Sequence, residues 1–134
     1  MHLRGKYIFV VEDNITNATI MKLILQAAGA KVLHDSWCID TPKRIKSAGH
    51  IDLILMDLML PNGLTGYDVF DQLQKDPQLS TIPAVVVSAS DASLEIRKAR
   101  QKGFVGYISK PINNQTFARL IASVLDGHEV WDDE

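Results

Sequence analysis

Four ionisable side chains and one hydroxyl in this 134-residue sequence each sit at the end of an apolar run. YIFVV (7 to 11) leads into Glu12-Asp13, DLILM (52 to 56) into Asp57, PAVVVS (83 to 88) ends in Ser88, and VGYIS (105 to 109) leads into Lys110-Pro111. A carboxylate at the end of a buried run costs several kcal/mol unless it is paired, hydrogen-bonded or metal-bound. Crowded carboxylates also repel one another and raise their pKa values unless a cation is present. Taken singly, each residue has an ordinary reading: Asp13 as a helix cap, Asp57 and Ser88 as turn residues, Lys110 as a solvated loop lysine. Taken jointly, they make chemical sense around a small hard cation. Magnesium suits them, because it takes one or two carboxylates and a backbone carbonyl, keeps several waters and leaves a position for a phosphate oxygen. The His or Cys clusters that zinc prefers are missing from the sequence. With the metal and Lys110 neutralising charge, Asp57 can act as a nucleophile toward phosphorus and form an acyl phosphate. Such a transfer asks for little beyond positioning and charge stabilisation.

The elements that would position these groups alternate between strand and helix patterns. YIFVV reads as a buried strand. NITNATIMKLILQAAG (14 to 29) reads as a helix with Ile15, Ala18, Met21, Leu25 and Ala28 at helical spacing, Asn14 or Thr16 as cap and Gly29 as stop. KVLHD (31 to 35) is a second strand, and TPKRIKSAG (41 to 49) a short helix capped by Thr41 with Pro42 in its first turn. DLILM is the third strand, GYDVFDQLQKD (66 to 76) the third helix and PAVVVS the fourth strand. ASLEIRKARQKG (92 to 103) and NNQTFARLIASVLDG (113 to 127) are helices on either side of VGYIS, the fifth strand. Five βα units in series imply a parallel sheet with helices on both faces, since parallel neighbours need crossovers and crossovers are right-handed. A ligand site in such a sheet lies beyond the carboxyl ends of the strands, where all five candidate groups fall.

Composition sets the surroundings. A chain 46% hydrophobic, with a formal charge of −2, fits one globular domain and argues against a basic nucleic-acid-binding surface. The single cysteine, Cys38, has no internal partner. Every apolar stretch is far shorter than the roughly 20 residues that span a bilayer. A cytoplasmic protein is the expectation.

The motifs VVEDN (10 to 14), LILMDLMLP (53 to 61), VVVSAS (85 to 90) and YISKPI (107 to 112) resemble, in order and spacing, those of the receiver domain of two-component response regulators. The resemblance covers nearly the whole chain. It implies a doubly wound five-stranded parallel sheet of flavodoxin-like strand order 2-1-3-4-5, spanning residues 1 to 127, with 128 to 134 left as a short acidic tail. It implies that Asp57 is the phosphoacceptor, that Asp13 ligates magnesium directly, and that Glu12 holds the metal, usually through water. The third protein ligand would be the backbone carbonyl of Met59. Ser88 matches the hydroxyl that turns toward the phosphoryl group, Lys110 the lysine that pairs with a phosphoryl oxygen, and Tyr107 the aromatic switch, which would move in from an exposed position. The Lys110-Pro111 bond is typically cis in the family.

The partners so implied are a histidine kinase or histidine phosphotransfer protein as donor, with Thr16, Asn17 and Ile20 as plausible contacts. A downstream protein would dock on the fourth helix, fifth strand and fifth helix, where Arg97, Lys98, Arg100 and Lys102 crowd the helix. The chain would be a monomer or weak dimer, assisting phosphorylation of its own Asp57 without turning over a separate substrate. A receiver cut from a hybrid kinase is the alternative, since EDNITN (12 to 17) resembles stretches common there. A magnesium-dependent aspartyl-phosphate phosphatase would normally place a second aspartate at the position of Met59. Two departures from the commonest receiver pattern stand out. NGLT (62 to 65) makes the loop one residue longer than usual, and Met59 and Ser90 flank the phosphoryl position without the acid or amide that often orients an attacking water. Trp131, in HEVWDDE, is left to pack on the body or fray into solvent.

Overall fold

The apolar runs become the strands of one parallel sheet in a computed structural model, which describes residues 2–132. The strands are β1 (Tyr7–Val11), β2 (Lys31–Asp35), β3 (Leu53–Met56), β4 (Ala84–Ser88), β5 (Gly106–Ser109) and β6 (Val130–Trp131). The helices are α1 (Ile15–Ala27), α2 (Thr41–Ala48), α3 (Gly66–Gln74), α4 (Ala92–Lys102) and α5 (Phe117–Leu125). Strand order is β2-β1-β3-β4-β5-β6, every neighbouring pair parallel. Order thus reverses at β1, and the rim beyond β1 and β3 is where such a fold opens a crevice.

Alternation along each central strand divides the core in two. Phe9, Ile54, Met56, Val86 and Tyr107 belong to one buried cluster, with Ile45, Phe70, Leu73, Ile96 and Phe104 from the helical side. Ile8, Val10, Leu53, Leu55, Val85, Val87 and Ile108 belong to the other, with Met21, Leu25, Phe117 and Ile121. Because β1, β3 and β4 are covered on both faces, they read as unbroken apolar runs. A sheet so enclosed is stiff, and the loops at its carboxyl rim inherit fixed positions.

Four expectations from the sequence need correction. The sheet has six strands: residues 130 and 131 of the expected tail pair with β5, Gly106 facing Val130 and Tyr107 facing Trp131. Two residues are too few for any periodicity to announce a strand. Met1, Asp133 and Glu134, the outer ends of the expected domain and tail, lie outside the described residues. Helix α5 begins at Phe117 and not at Asn113, because the Asn113 side chain accepts the Gln115 amide at 2.8 Å and holds the chain in a turn. Thr41 is the first helical residue of α2, Asp40 standing at the cap position with φ 55° and no side-chain cap bond. Ile15 is 61% exposed, although its spacing placed it with the core residues of α1. The cap of α1 is Asn14, whose side chain accepts the Asn17 amide at 2.9 Å.

The Thr41 hydroxyl does other work, donating to Asp35 Oδ2 at 2.8 Å while the amides of Trp37 and Cys38 donate to Oδ1 at 3.2 and 3.1 Å. Asp35 is buried at the end of β2, so this network stands in for its water. Thr41→Val keeps the shape and removes one donor from a buried carboxylate. It is expected to lower the unfolding free energy by about 1–3 kcal/mol, measured by urea denaturation; a loss within error would mean that water reaches Asp35.

Candidate functional site

Glu12 and Asp13 follow β1, Asp57 follows β3 and Lys110 follows β5, so the register of the sheet brings all four to one rim. Glu12 is fully buried, Asp57 is 8% exposed and Asp13 is exposed. One ligand atom from each of the three carboxylates lies within 4.8 Å of the others. The Lys110 ammonium donates to Asp57 Oδ2 at 3.0 Å and, more tightly, to Glu12 Oε1. The other Glu12 oxygen accepts the Asn14 amide at 3.2 Å, and Asp57 Oδ1 accepts the Met59 amide at 3.3 Å. Lys110 is held at the rim by its own amide, which donates to Ser88 O at 2.9 Å, and its bond to Pro111 is cis, as expected.

Asp57 is fixed from behind as well. A Cβ on Gly66, the first residue of α3, would fall 2.3 Å from the Asp57 carbonyl oxygen, so only glycine lets α3 start there. The Gly66 amide donates to Leu58 O at 2.9 Å. The loop that contains NGLT closes on itself: the Leu60 amide donates to Leu64 O at 3.0 Å, Pro61–Gly63 forms a short 3-10 turn, and Asn62 and Gly63 both adopt positive φ. The extra residue is absorbed within the loop. Sequence reasoning read Gly66 only as a helix start; its close approach to Asp57 needs the fold to be visible.

Two expected site residues bond to Ser90. Ser88 is buried at the end of β4, its hydroxyl donating to Ser90 Oγ at 3.1 Å and accepting the Ser90 amide at 3.2 Å. Tyr107 is fully buried, where an exposed ring was expected, and its hydroxyl donates to Ser90 O at 2.9 Å. On its edge side Trp131 stands opposite it in register, within the same buried cluster. Ser90 therefore links Tyr107 to Ser88, a role its place in the sequence did not announce. The Met59 side chain is 72% exposed beside the site.

The chemistry of this donor set fits magnesium: three hard carboxylate donors at one rim, with no imidazole or thiolate among them. Burial pushes the Glu12 carboxyl up from 4.5 to about 7, against its hydrogen bond from Lys110 and with the help of the Asp57 charge. Burial also works against the Lys110 ammonium, but the Glu12 hydrogen bond and the two carboxylate fields hold its pKa above the ordinary lysine value. The buried cluster is thus short of positive charge, and a divalent cation would relieve it.

A parallel α/β sheet with an acidic cluster and a lysine at its switch-point rim defines a class of phosphate-handling and signalling domains. The chain belongs, within that class, to the response regulator receiver domain family, whose sequence model matches residues 8–122. It is 32% identical over 120 residues to the polar-differentiation response regulator DivK of Brucella ovis, a match covering 90% of this chain and 96% of that protein. Among solved structures it resembles the signal receiver domain of a signal transduction histidine kinase from Syntrophus aciditrophicus, with a TM-score of 0.77, 27% identity and 92% of both chains covered. The fold also matches the Vibrio cholerae chemotaxis protein CheY4, with a TM-score of 0.80 at 19% identity over 89% of this chain and 98% of that one.

The raised Glu12 pKa has a consequence for stability. In metal-free protein the folded state keeps a proton on Glu12 that the unfolded chain releases near pH 4.5, so this contribution is full below pH 4.5 and is lost as pH rises through about 7. The lowered carboxylates Asp52, Asp68, Asp76 and Asp91 act in the opposite sense, losing stability only as pH falls below 3.8. Urea unfolding with a chelator present is expected to show stability declining across the Glu12 window by roughly 3 kcal/mol, and Glu12→Gln is expected to flatten the decline. An unchanged slope in the variant would assign the titration to another group.

Proposed function

We propose that this receiver accepts a phosphoryl group on Asp57 from the phosphohistidine of a histidine kinase or phosphotransfer protein, with magnesium as cofactor, and signals by a change of conformation. The observation that carries this reading is the Lys110 ammonium bonded to both Glu12 and Asp57, with Asp13 alongside. Asp13, Asp57 and the backbone carbonyl of Met59 would hold magnesium, with Glu12 acting through water. When bound, the metal supplies charge neutralisation at the phosphoryl oxygens.

An Asp57 carboxylate oxygen bonds to phosphorus as the donor's P–N bond breaks. The electron pair leaves with the imidazole, which takes up a proton. The Met59 amide orients Asp57 for this attack through Oδ1, and Lys110 turns its charge from Glu12 toward a phosphoryl oxygen. A phosphoryl group brings about −1.5 to −2 charges and strong acceptor oxygens. The Ser88 hydroxyl, now spent on Ser90, redirects to one of them, which vacates space beside the Tyr107 ring and favours its inward position, where its hydroxyl bonds to Ser90 O. The only turnover in this reading is formation and hydrolysis of the protein's own acyl phosphate.

For the donor, a cleft lined by Asn17, Ile20, Met21, Lys110, Pro111 and Ile112 lies next to the site, and exposed Thr16 stands at its α1 side. For the downstream partner, the α4–β5–α5 face carries the basic residues, but they are partly engaged. Lys102 pairs with Asp71 at 2.8 Å, Lys98 lies over the Tyr67 ring and Arg100 over the Trp131 ring. No described helix is long and apolar enough to cross a membrane. The likeness to a histidine-kinase receiver supports a second reading, that the chain acts as the receiver module of a hybrid kinase or relay.

Incubation with acetyl phosphate and magnesium is expected to raise the intact mass by roughly 80 Da, one phosphoryl group. Asp57→Asn should abolish the gain; a variant that still gains the mass would place the nucleophile elsewhere. Met59 offers the attacking water only a weak thioether acceptor, so the acyl phosphate is expected to outlast those of receivers with an acid or amide there. Met59→Asn should speed its loss by about tenfold to a hundredfold, the worth of one well-placed water, followed after donor removal at fixed magnesium. Equal decay would transfer control of hydrolysis to the NGLT loop.

A further inference from the structure

The outer edge of β5 is shaped to receive a strand. A Cβ on Gly106 would lie 2.7 Å from both the carbonyl oxygen and Cγ2 of Val130, so the missing side chain is what lets another backbone come this close. Val130 N donates to Val105 O and Asp132 N to Tyr107 O, both at 3.2 Å. The Asp132 carboxylate accepts the Ser109 amide at 2.5 Å, one residue before Lys110. Trp131 is 7% exposed within the same buried cluster as Tyr107, Ile96 and Ala99, with the Arg100 guanidinium 4.5 Å above its ring and its Nε1 donating to Glu129 Oε1 at 2.9 Å. Backbone pairing, a seated aromatic ring and a bonded carboxylate are three independent fits by one short segment.

We propose that the β5 edge is a strand-docking site whose resident occupant is this chain's own segment 128–132, and that its occupancy and phosphoryl occupancy at Asp57 strengthen each other. The proposal rests on the phosphoacceptor reading above and adds a partner segment to it. The link is Tyr107. Its ring is opposite Trp131 in register, and its hydroxyl is bonded to Ser90 O, whose residue also holds the Ser88 hydroxyl. An outward swing of Tyr107 around the β5 edge meets Trp131, so the docked segment favours the inward ring. A second route runs from Asp132 through Ser109 to Lys110, which touches both Glu12 and Asp57. A phosphoryl group that draws Ser88 inward favours the inward ring, as the docked segment does, so by linkage each binds better when the other is in place. A downstream partner on this face then meets a surface of α4 and β6, with the β5 edge closed.

The full chain contains two tryptophans, and Trp37 is 70% exposed. Trp37→Phe therefore leaves Trp131 as the sole indole reporter. In that background Gly106→Ala is expected to shift Trp131 emission to the red, as the added methyl expels the strand. Affinity for beryllofluoride with magnesium, a phosphoryl mimic, is expected to fall by about fivefold or more, the lower end of ordinary coupling. Trp131→Ala, with binding read by NMR shifts, should give the same loss. In the unsubstituted chain, amide exchange of Val130 and Asp132 should slow when the mimic binds, a readout that needs no variant to fold. An unshifted emission in Gly106→Ala overturns the docking site. Released Trp131 with unchanged mimic affinity, or tail amides indifferent to the mimic, overturns the coupling. Failure of the parent chain to bind the mimic at all, or equal binding by Asp57→Asn, sinks the phosphoacceptor reading instead.

Discussion

A buried carboxylate beside a second one needs a positive charge, and in this protein one ammonium group meets part of that need. Lys110 comes from the far side of the β1–β3 crevice, and it reaches Glu12 and Asp57 only because β5 pairs with β4 in a register that sets Ser88 beside Ser109. Shift that register by one residue and the lysine points to the other face of the sheet. The unbroken apolar strands, the two-sided core and the glycine that lets α3 start against Asp57 all serve to hold four chain segments in fixed relation. Breaking a buried pair of this kind commonly costs about 3–5 kcal/mol, because the remaining charge is stranded. A cation that replaces the ammonium can leave Lys110 to do something else.

What that freed lysine and the neighbouring hydroxyl would report to is a tightly connected corner. Ser88, Ser90 and Tyr107 form a hydrogen-bonded series from the site to the edge of the sheet, and Trp131 closes it. The adjacent helix is also committed to its own chain. Tyr67 donates to Glu95 at 2.5 Å under Lys98, and Phe70 stacks on Phe104 with centroids 4.0 Å apart. A helix packed and charge-paired in this way shifts as a body more readily than it deforms.

The legible part of the sequence was the part that local rules control. Apolar runs and their terminal charges located the five long strands and all four polar groups of the rim, because strand period and desolvation cost both act over a few residues. The motifs then supplied the family. The illegible part depended on contacts between distant segments. Tyr107 reads identically whether its ring is in or out, and its register neighbour Trp131 lies 24 residues further on in a stretch with no strand pattern. Thr41 looks like a helix cap until Asp35, six residues earlier, takes its hydroxyl. Gly66 and Gly106 look alike in the sequence, yet one faces a carbonyl oxygen at the site and the other a strand at the edge.

The short β6 strand also bears on how the folded molecule behaves in a crowd. An open sheet exposes unpaired backbone groups along both flanks, and a long apolar edge invites pairing with other chains. Here the apolar β5 flank is capped by a two-residue strand flanked by Glu129 and Asp132, too brief and too acidic to template another. The opposite flank, β2, ends in Lys31 at one side and in Asp35, bound up by Thr41, at the other. The β5 border is thus covered by extra chain, while β2 keeps its outer edge open, with Lys31 its one exposed charge.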